Sequence, residues 1–245
     1  MYRFFIIVQV LACWVPLSHA DVWVEGTSQP AERITISSPV EEIVASVSIE
    51  VGDVVEKDHV LATLYATRQK LEVKRLGHMI LKADEDAKTA RDLFDKGFKK
   101  RSFLLEKEVE LQRLKVEKEM AQYSVEQRII KSPVAGTVVH RLKDPGEAIG
   151  RVEPMFEIID ASKMKLVFFL PTKYLASLKT GMEAAVVFPE LPDMGEQKAK
   201  LVFIDPQVDS RSGLYRVRFE FDNRKLNMKP GLRVKVKLPE TESSK

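Results

Sequence analysis

Apolar and polar positions follow three different patterns along the chain. In segments 34–65 and 131–161, short stretches such as "IVASVSI" alternate apolar and polar residues, which is typical of half-buried β-strands. In segment 66–130, apolar residues recur every three or four positions without any proline, which predicts helices. In segment 162–239, five apolar stretches separated by Gly, Pro, Asp and Asn predict further strands. The pattern therefore predicts an α+β protein in which two strand-rich segments flank a helical one.

The two strand-rich segments on either side of the helices are copies of each other. "SPVEEIVASVSIEVGD", from Ser38, aligns without a gap with "SPVAGTVVHRLKDPGE", from Ser132, at an offset of 94 residues. Gly52 and Gly146 fall on each other and are predicted to set the turns. Such self-similarity indicates a duplicated structural unit, and two copies are too few for a solenoid. We predict that they are the two halves of one β sandwich.

The helical segment predicts a hairpin. Gly97 is the predicted stop of the first helix and Ser102 the N-cap of the second, which runs to about Arg128. Each helix would be about 42 Å long at 1.5 Å per residue. The spacings of three and four predict that the two helices pack as an antiparallel coiled coil. The predicted seam residues of the first helix are Val73, Leu76, Ile80, Ala83, Ala87, Ala90 and Phe94, and those of the second are Val109, Val116, Tyr123 and Ile130, with Leu114 and Ala121 alongside.

The turn between the helices is strongly basic. A solvated turn is the simplest interpretation, but a cationic cluster at the end of a rigid rod is also well placed to meet an acidic partner. We therefore predict a partner-contact site at this tip, with Leu93 and Phe94 holding the turn. The complete predicted site is Leu93, Phe94, Lys96, Gly97, Phe98, Lys99, Lys100 and Arg101.

The C-terminal segment 162–239 predicts a small β barrel. Its strand candidates are "MKLVFFLP", "MEAAVVF", "QKAKLVFIDP", "GLYRVRFEFDN" and "LRVKVKLPE", with a short helix in "TKYLASLKTG". Pro230 and Gly231 are predicted to set the last turn of the barrel. Residues 240–245 read as a disordered tail.

The first 20 residues have the pattern of a secretory signal peptide. A basic "MYR" precedes a run of 14 mostly apolar residues, and "SHA" supplies the small residues of a cleavage site after Ala20. Residues 21–33 would form an N-terminal extension of the mature chain. Cys13, the only cysteine, lies within this peptide, and the alternative to its removal is a lipid anchor on it. An exported chain without disulfides is most simply placed in a periplasm.

Composition excludes several classes of function. A net charge of +3 is too small to suggest nucleic-acid binding. His59, His78 and His140 lack a metal-ligand spacing, and the chain has no nucleophile elbow, Walker loop or dinucleotide fingerprint. The methionines are dispersed and read as core residues. We expect neither an enzyme nor a metal or cofactor site.

The order of signal peptide, half-sandwich, helical hairpin, half-sandwich and barrel resembles the HlyD-like family of periplasmic adaptors, also called membrane fusion proteins. "IEVGDVVEKDHVLATL" and "IIKSPVAGTVVHRLKDPGEAIGRVEPMFEIID" resemble the two lipoyl half-motifs of that family. "FIDPQVDSRSGLYRVRFEFDN" followed by "LNMKPGLRVKV" is similar to its barrel signature. The resemblance covers residues 34–238. It implies a split lipoyl-like β sandwich with an inserted antiparallel α-helical coiled-coil hairpin, followed by a small β barrel.

The resemblance also implies a function. Family members of the RND (resistance–nodulation–division) efflux type form homo-oligomeric funnels, often hexameric, peripheral to the inner membrane. They join an inner-membrane transporter to an outer-membrane duct, which meets the hairpin tips. This chain departs from the tip pattern Arg-x3-Leu-x6-Ser: with Leu93 in register, Thr89 and Lys100 replace the Arg and Ser. In the other register Asp95 replaces the Leu.

Three alternatives remain open at the level of sequence. An adaptor of an ABC exporter or secretion system would share this architecture. A lipoyl or biotinyl carrier domain is disfavoured, because its modified lysine requires uninterrupted halves joined by a short turn. A stand-alone periplasmic ligand or metal binder would be monomeric.

Overall fold

The structure is a computed structural model that describes residues 22–239. The predicted signal peptide, with Cys13, and the predicted tail 240–245 lie outside the described residues. Within them the chain divides into two compact units, one of residues 30–163 and 223–228 and one of residues 22–29, 164–222 and 229–239. The first unit holds the β sandwich and the helical hairpin, and the second is a β barrel.

The sandwich is built from short strands that the two sequence copies supply. The first copy forms β2 (Glu42–Val47), β3 (Val54–Val55) and β4 (Val60–Leu64). The second forms β5 (Ile129–Lys131), β6 (Gly136–Arg141), β7 (Ala148–Ile149) and the start of the long strand β8 (Pro154–Pro171). One sheet has the order β5-β4-β2-β7, and in the other β3 pairs with β6 and β6 with β8. A single buried cluster, which includes Val44, Leu61, Val138 and Ile158, fills the space between the sheets.

The two copies exchange equivalent hydrogen bonds. The N–H of Val44 donates to Glu147 O at 2.9 Å, and the N–H of Val138, 94 residues after Val44, donates to Asp53 O at the same distance. Because Asp53 and Glu147 are also 94 residues apart, each bond is the image of the other. The strand pairs β2–β7 and β3–β6 are related in the same way. The repeat therefore encodes a pseudo-two-fold unit in which each copy completes the other.

Two buried serines and two strained residues follow the same symmetry. Ser38 Oγ donates to Val40 O at 2.6 Å and Ser132 Oγ to Val134 O at 2.6 Å. Among residues without the freedom of glycine, Asp58 has φ +67° and its equivalent, Val152, has φ +65°. A β-branched residue is costly in this left-handed region.

The helical segment forms the predicted hairpin from α1 (Thr67–Asp95) and α2 (Arg101–Glu126). The α1 seam is confirmed, since Leu76, Ala83 and Ala87 are buried in a cluster with Leu111 and Leu114 of α2. These larger leucines fill the space that the small alanines of α1 leave.

The predicted seam of α2 is wrong. Val109, Val116 and Tyr123 are exposed, and Ile130 belongs to β5. Leu104, Leu111 and Leu114 bury the other side of the helix instead. Because α2 carries two apolar stripes with nearly the same period, its pattern alone did not identify the one that faces α1.

The barrel unit closes into a ring of six strands. The five predicted strands are present as the second part of β8, β9 (Glu183–Val187), β10 (Gln197–Ile204), β11 (Leu214–Asp222) and β12 (Arg233–Leu238). The sixth is the first part of β1 (Val22–Ser37), which lies within the segment that the sequence suggested was an extension. The order is β1-β12-β9-β10-β11-β8, and β8 pairs with β1 to complete the ring.

A glycine allows β1 to approach β8. A Cβ atom on Gly26 would lie 2.4 Å from Val167 O and 2.4 Å from a ring carbon of Phe168. Phe168 in turn packs edge-to-face on Phe219, with ring centroids 5.6 Å apart. No larger residue fits here without displacing the backbone of β8 or this aromatic pair.

The predicted helix in "TKYLASLKTG" is replaced by a 3₁₀ turn of three residues, Thr172–Tyr174. Tyr174 and Leu178 are both buried. A helix of one or two turns has little stability of its own, so the packing of these two side chains decides the local conformation.

We expect Val152→Gly to stabilise the protein by about 1 kcal/mol, because the substitution relieves a left-handed β-branched residue whose side chain is 74% exposed and makes few contacts. Urea denaturation measures the change. The matched control is Asp58→Gly at the symmetry-related position, where aspartate already tolerates this conformation, so the effect should stay within about 0.5 kcal/mol. Equal effects at the two positions would contradict the strain argument.

Candidate functional site: the hairpin tip

The tip is a tight turn that ends α1. The N–H of Gly97 donates to Phe94 O at 2.9 Å, and the N–H of Phe98 donates to Leu93 O at 2.8 Å. These two bonds define a Schellman motif, which caps the last carbonyls of a helix. Gly97 has φ +76°, the left-handed conformation that the motif requires at this position. The helix therefore ends in a defined structure and not in a frayed loop.

The second helix begins without a side-chain cap. Its N-cap is Lys100, in an extended conformation with φ −77° and ψ 155°, and no side chain bonds to the free N–H groups. The prediction that Ser102 is the N-cap is wrong, since this residue already lies inside the first turn. The Schellman turn is short enough for the helix to begin at Arg101, so Ser102 comes one residue too late to cap it.

The aromatic side chains at the tip differ in their contacts. Phe98 is 73% exposed, and Phe94, predicted to hold the turn, is 37% exposed. Phe103 is half-buried, and the Nζ atoms of Lys99 and Lys107 lie 5.0 and 5.7 Å from the centre of its ring. Such cation–π contacts hold lysine side chains near the tip surface.

The tip is positively charged and the adjacent end of α1 is not. Residues 96–101 contain Lys96, Lys99, Lys100 and Arg101 and no acidic residue, and all four are exposed. Just below, the Arg91 guanidinium hydrogen-bonds the Glu108 carboxylate and links the two helices. The tip thus presents four cations and one exposed phenyl ring on a rigid support, a surface that suits an acidic partner with an apolar recess.

The four turn residues predicted from sequence lie in the β structure and not at the tip. The N–H of Gly52 donates to Val138 O and that of Gly146 to Val44 O, both at 2.8 Å, with φ of +101° and +92°. Gly231, with φ +104°, follows Pro230 and donates to Ser28 O at 3.0 Å in the barrel. These residues form turns of the two folds.

Sequence reasoning missed a second surface of the hairpin. On the side of α2 opposite to its buried leucines, five apolar side chains form a stripe, and each is between 56 and 66% exposed. We call this the outer stripe of α2. Their spacings of four, seven, four and three residues keep them on one face. The members are Leu105, Val109, Val116, Met120 and Tyr123.

Two further features were searched for within residues 22–239. No group of His, Cys, Asp or Glu side chains in this range is arranged to hold a metal ion. Likewise, none of the helices described is both long and apolar enough to cross a membrane.

Family models match nearly the whole described chain. Residues 32–160 match the CzcB-like barrel-sandwich hybrid domain, and residues 166–242 match the CusB-like β-barrel domain of the RND type. The first match alone covers more than half of the chain. A comparison with curated protein sequences found no match.

Solved structures share the fold. One is a MacA–MexA chimera with the Pseudomonas aeruginosa MexA α-hairpin domain, at 15% identity over 89% of this chain and 81% of that one, with a TM-score of 0.78. Another is the membrane fusion protein Spr0693 of Streptococcus pneumoniae, at 16% identity over 89% and 99%, with a TM-score of 0.72. A third is ZneB of Cupriavidus metallidurans, at 18% identity over 89% and 70%, with a TM-score of 0.55.

Two glycines of the hairpin should respond to alanine with opposite signs. Gly97→Ala should destabilise the protein by about 1 kcal/mol, because the turn needs a left-handed residue. Gly77→Ala should stabilise it by about 1 kcal/mol, because Gly77 lies inside α1 and a Cβ there would meet no atom within 4 Å. Thermal unfolding followed by circular dichroism measures both. Loss of stability in both variants would show that Gly77 has a structural role of its own.

Proposed function

The chain belongs to the family of CzcB- and CusB-like membrane fusion proteins, the periplasmic adaptors, and on that premise we propose that it is a non-enzymatic adaptor that links an inner-membrane transporter to an outer-membrane duct. The observation that carries the proposal is the combination of a barrel-sandwich hybrid, an inserted hairpin and a CusB-like barrel in one chain. The action would be mechanical: copies pack into a conduit and couple the two membrane components.

The RND type of transporter is the partner that we favour. The barrel matches a domain model of the RND type, and it provides the surface that we assign to the transporter. The exported substrate would be chosen by that transporter. An adaptor of an ABC exporter is the competing assignment, and the identity of the captured transporter distinguishes the two.

The hairpin tip is the surface that we assign to the duct. Its four cations and the exposed ring of Phe98 would meet an acidic rim, and the Schellman turn would hold them in place. The departure from the family pattern Arg-x3-Leu-x6-Ser implies that this duct is not contacted through the usual residues, so charge takes a larger part in recognition.

The cell compartment follows from the same proposal. The predicted signal peptide would bring the chain to the periplasm, where it would act as a homo-oligomer, with hexamers as the family expectation, peripheral to the inner membrane. Lipidation of Cys13 remains the alternative means of attachment.

Photo-crosslinking in cells tests the bridge. A photoreactive residue at Phe98 should capture an outer-membrane duct, and one at Phe169, an exposed position on the barrel, should capture an inner-membrane transporter. Lys99→Glu combined with Lys100→Glu should lower the yield of the duct product by at least about tenfold, because it places carboxylates against an acidic rim.

Two controls make the result specific. A photoreactive residue at Val54, which is exposed on the sandwich, should capture neither component. Lys57→Glu, a charge reversal in the same unit but away from the tip, should leave the duct product unchanged. The adaptor assignment fails if both probes return only the free chain, and a stand-alone ligand binder then becomes the better explanation.

A further inference from the structure

The outer stripe of α2 is an unpartnered coiled-coil seam. The buried face of α2, with Leu104, Leu111 and Leu114, already contacts α1, and the stripe lies on the opposite side of the helix. At 1.5 Å per residue, the stripe extends for about 27 Å from Leu105 to Tyr123. Shallow grooves along both parts of it are lined by Leu105 and Val109 and by Val116, Met120 and Tyr123. A row of exposed apolar residues at heptad spacing is the surface that one more helix would cover.

We propose that α1 of a second copy of this chain covers the stripe, with the two hairpins side by side and pointing in the same direction. The proposal rests on the proposed function, which requires copies of the chain to pack together, and it identifies the faces, the direction and the register of that packing. Three observations support it: the outer face of α1, the heights of its apolar residues, and the distribution of charge along it.

The outer face of α1 offers a matching seam near its base. Positions 71, 74, 78, 81 and 85 follow the three-four spacing on the side turned away from α2. Leu71 and Leu81 among them are 61% and 67% exposed. Apolar side chains thus occur on both outer faces of the hairpin, so a copy can offer one face to each of two neighbours, as a head-to-tail arrangement requires.

The heights of these residues agree when the hairpins are parallel. The Arg91–Glu108 ion pair fixes which parts of the two helices are level. Ten residues towards the base lie Leu81 on α1 and Lys118 on α2, the latter between Val116 and Met120 of the stripe. Copies that stand level would therefore bring Leu81 of one against the Val116–Met120 part of the stripe of the next.

Charge selects the direction. Residues 67–82 of α1 contain five Lys or Arg and one acidic residue, whereas residues 83–95 contain five acidic residues and two Lys or Arg. Beside the stripe, α2 carries the exposed carboxylates of Glu119 and Glu126 near its base. In parallel hairpins these face the basic part of the neighbouring α1, and the basic tip lies near its acidic part. In antiparallel hairpins the basic part of α1 would meet the basic tip, which is repulsive.

Cysteine crosslinking between two variants tests the contact. Full-length Leu81→Cys and Val116→Cys chains are co-expressed with different tags and oxidised. A disulfide-linked pair that carries both tags is expected from the mixture and not from either variant alone. The parent chain, whose one cysteine is Cys13, shows the background. A linked dimer from Val116→Cys alone would overturn the proposal, because it would mean that two α2 stripes face each other.

A second pair tests direction and register. Leu81→Cys mixed with Leu105→Cys should not crosslink, because the two residues would be about 20 Å apart along parallel, level hairpins. A linked product from this pair, with none from Leu81→Cys and Val116→Cys, would overturn the parallel arrangement.

Charge in the stripe should weaken self-association without unfolding the hairpin. Val116→Glu with Met120→Glu, both at exposed positions, should raise the dissociation constant by at least about tenfold in sedimentation experiments, while circular dichroism keeps its helical signal. Val54→Glu on the sandwich is the matched control and should change neither. Unchanged self-association of the stripe variant would contradict the proposal.

Failure here is distinguishable from failure of the proposed function. If photoreactive residues at Phe98 and Phe169 still capture the duct and the transporter while Leu81→Cys and Val116→Cys never link, the adaptor assignment stands and the stripe has another role. If neither probe captures a membrane component, the assignment itself fails, whatever the cysteines report.

Discussion

The N–H groups of Val44 and Val138 donate to carbonyls of the opposite copy of the repeat, and the rest of the sandwich unit depends on this exchange. An unpaired buried backbone group costs free energy comparable to a lost hydrogen bond, so neither half-sandwich can be stable alone. The two halves are separated in sequence by the whole hairpin. Closing the sandwich therefore brings the two ends of the hairpin together, which places α1 and α2 side by side.

This constraint explains why the hairpin tolerates a sparse seam. The cluster between α1 and α2 consists largely of alanines facing leucines, with one ion pair between the helices near the tip. An isolated hairpin of this kind would have little stability, since most helical stability in proteins comes from tertiary packing. With its base fixed by the sandwich and its end capped by the Schellman turn, α2 can keep a second apolar stripe exposed for contacts outside the chain.

The barrel obeys a different closure rule. Its five strands from the C-terminal segment have free edges until β1, from the other end of the chain, pairs with both β12 and β8. Closure removes edges that would otherwise pair with other molecules. Gly26 allows the approach, and the outer face of the barrel remains available for the contact that we assign to the transporter.

The sequence by itself determined the repeat, the two helices, five barrel strands and the glycine that ends α1, because each depends on local periodicity or on the backbone freedom of one residue. It did not identify β1 as a barrel strand, since that assignment depends on pairing with strands some 140 to 210 residues away. Nor could it tell which stripe of α2 is buried: Leu111 and Val116 fit the same period, and only the space left by the alanines of α1 distinguishes them. The basic tip could be read from the letters, but the height, direction and exposure of the outer stripe exist only once the sandwich has closed beneath the hairpin.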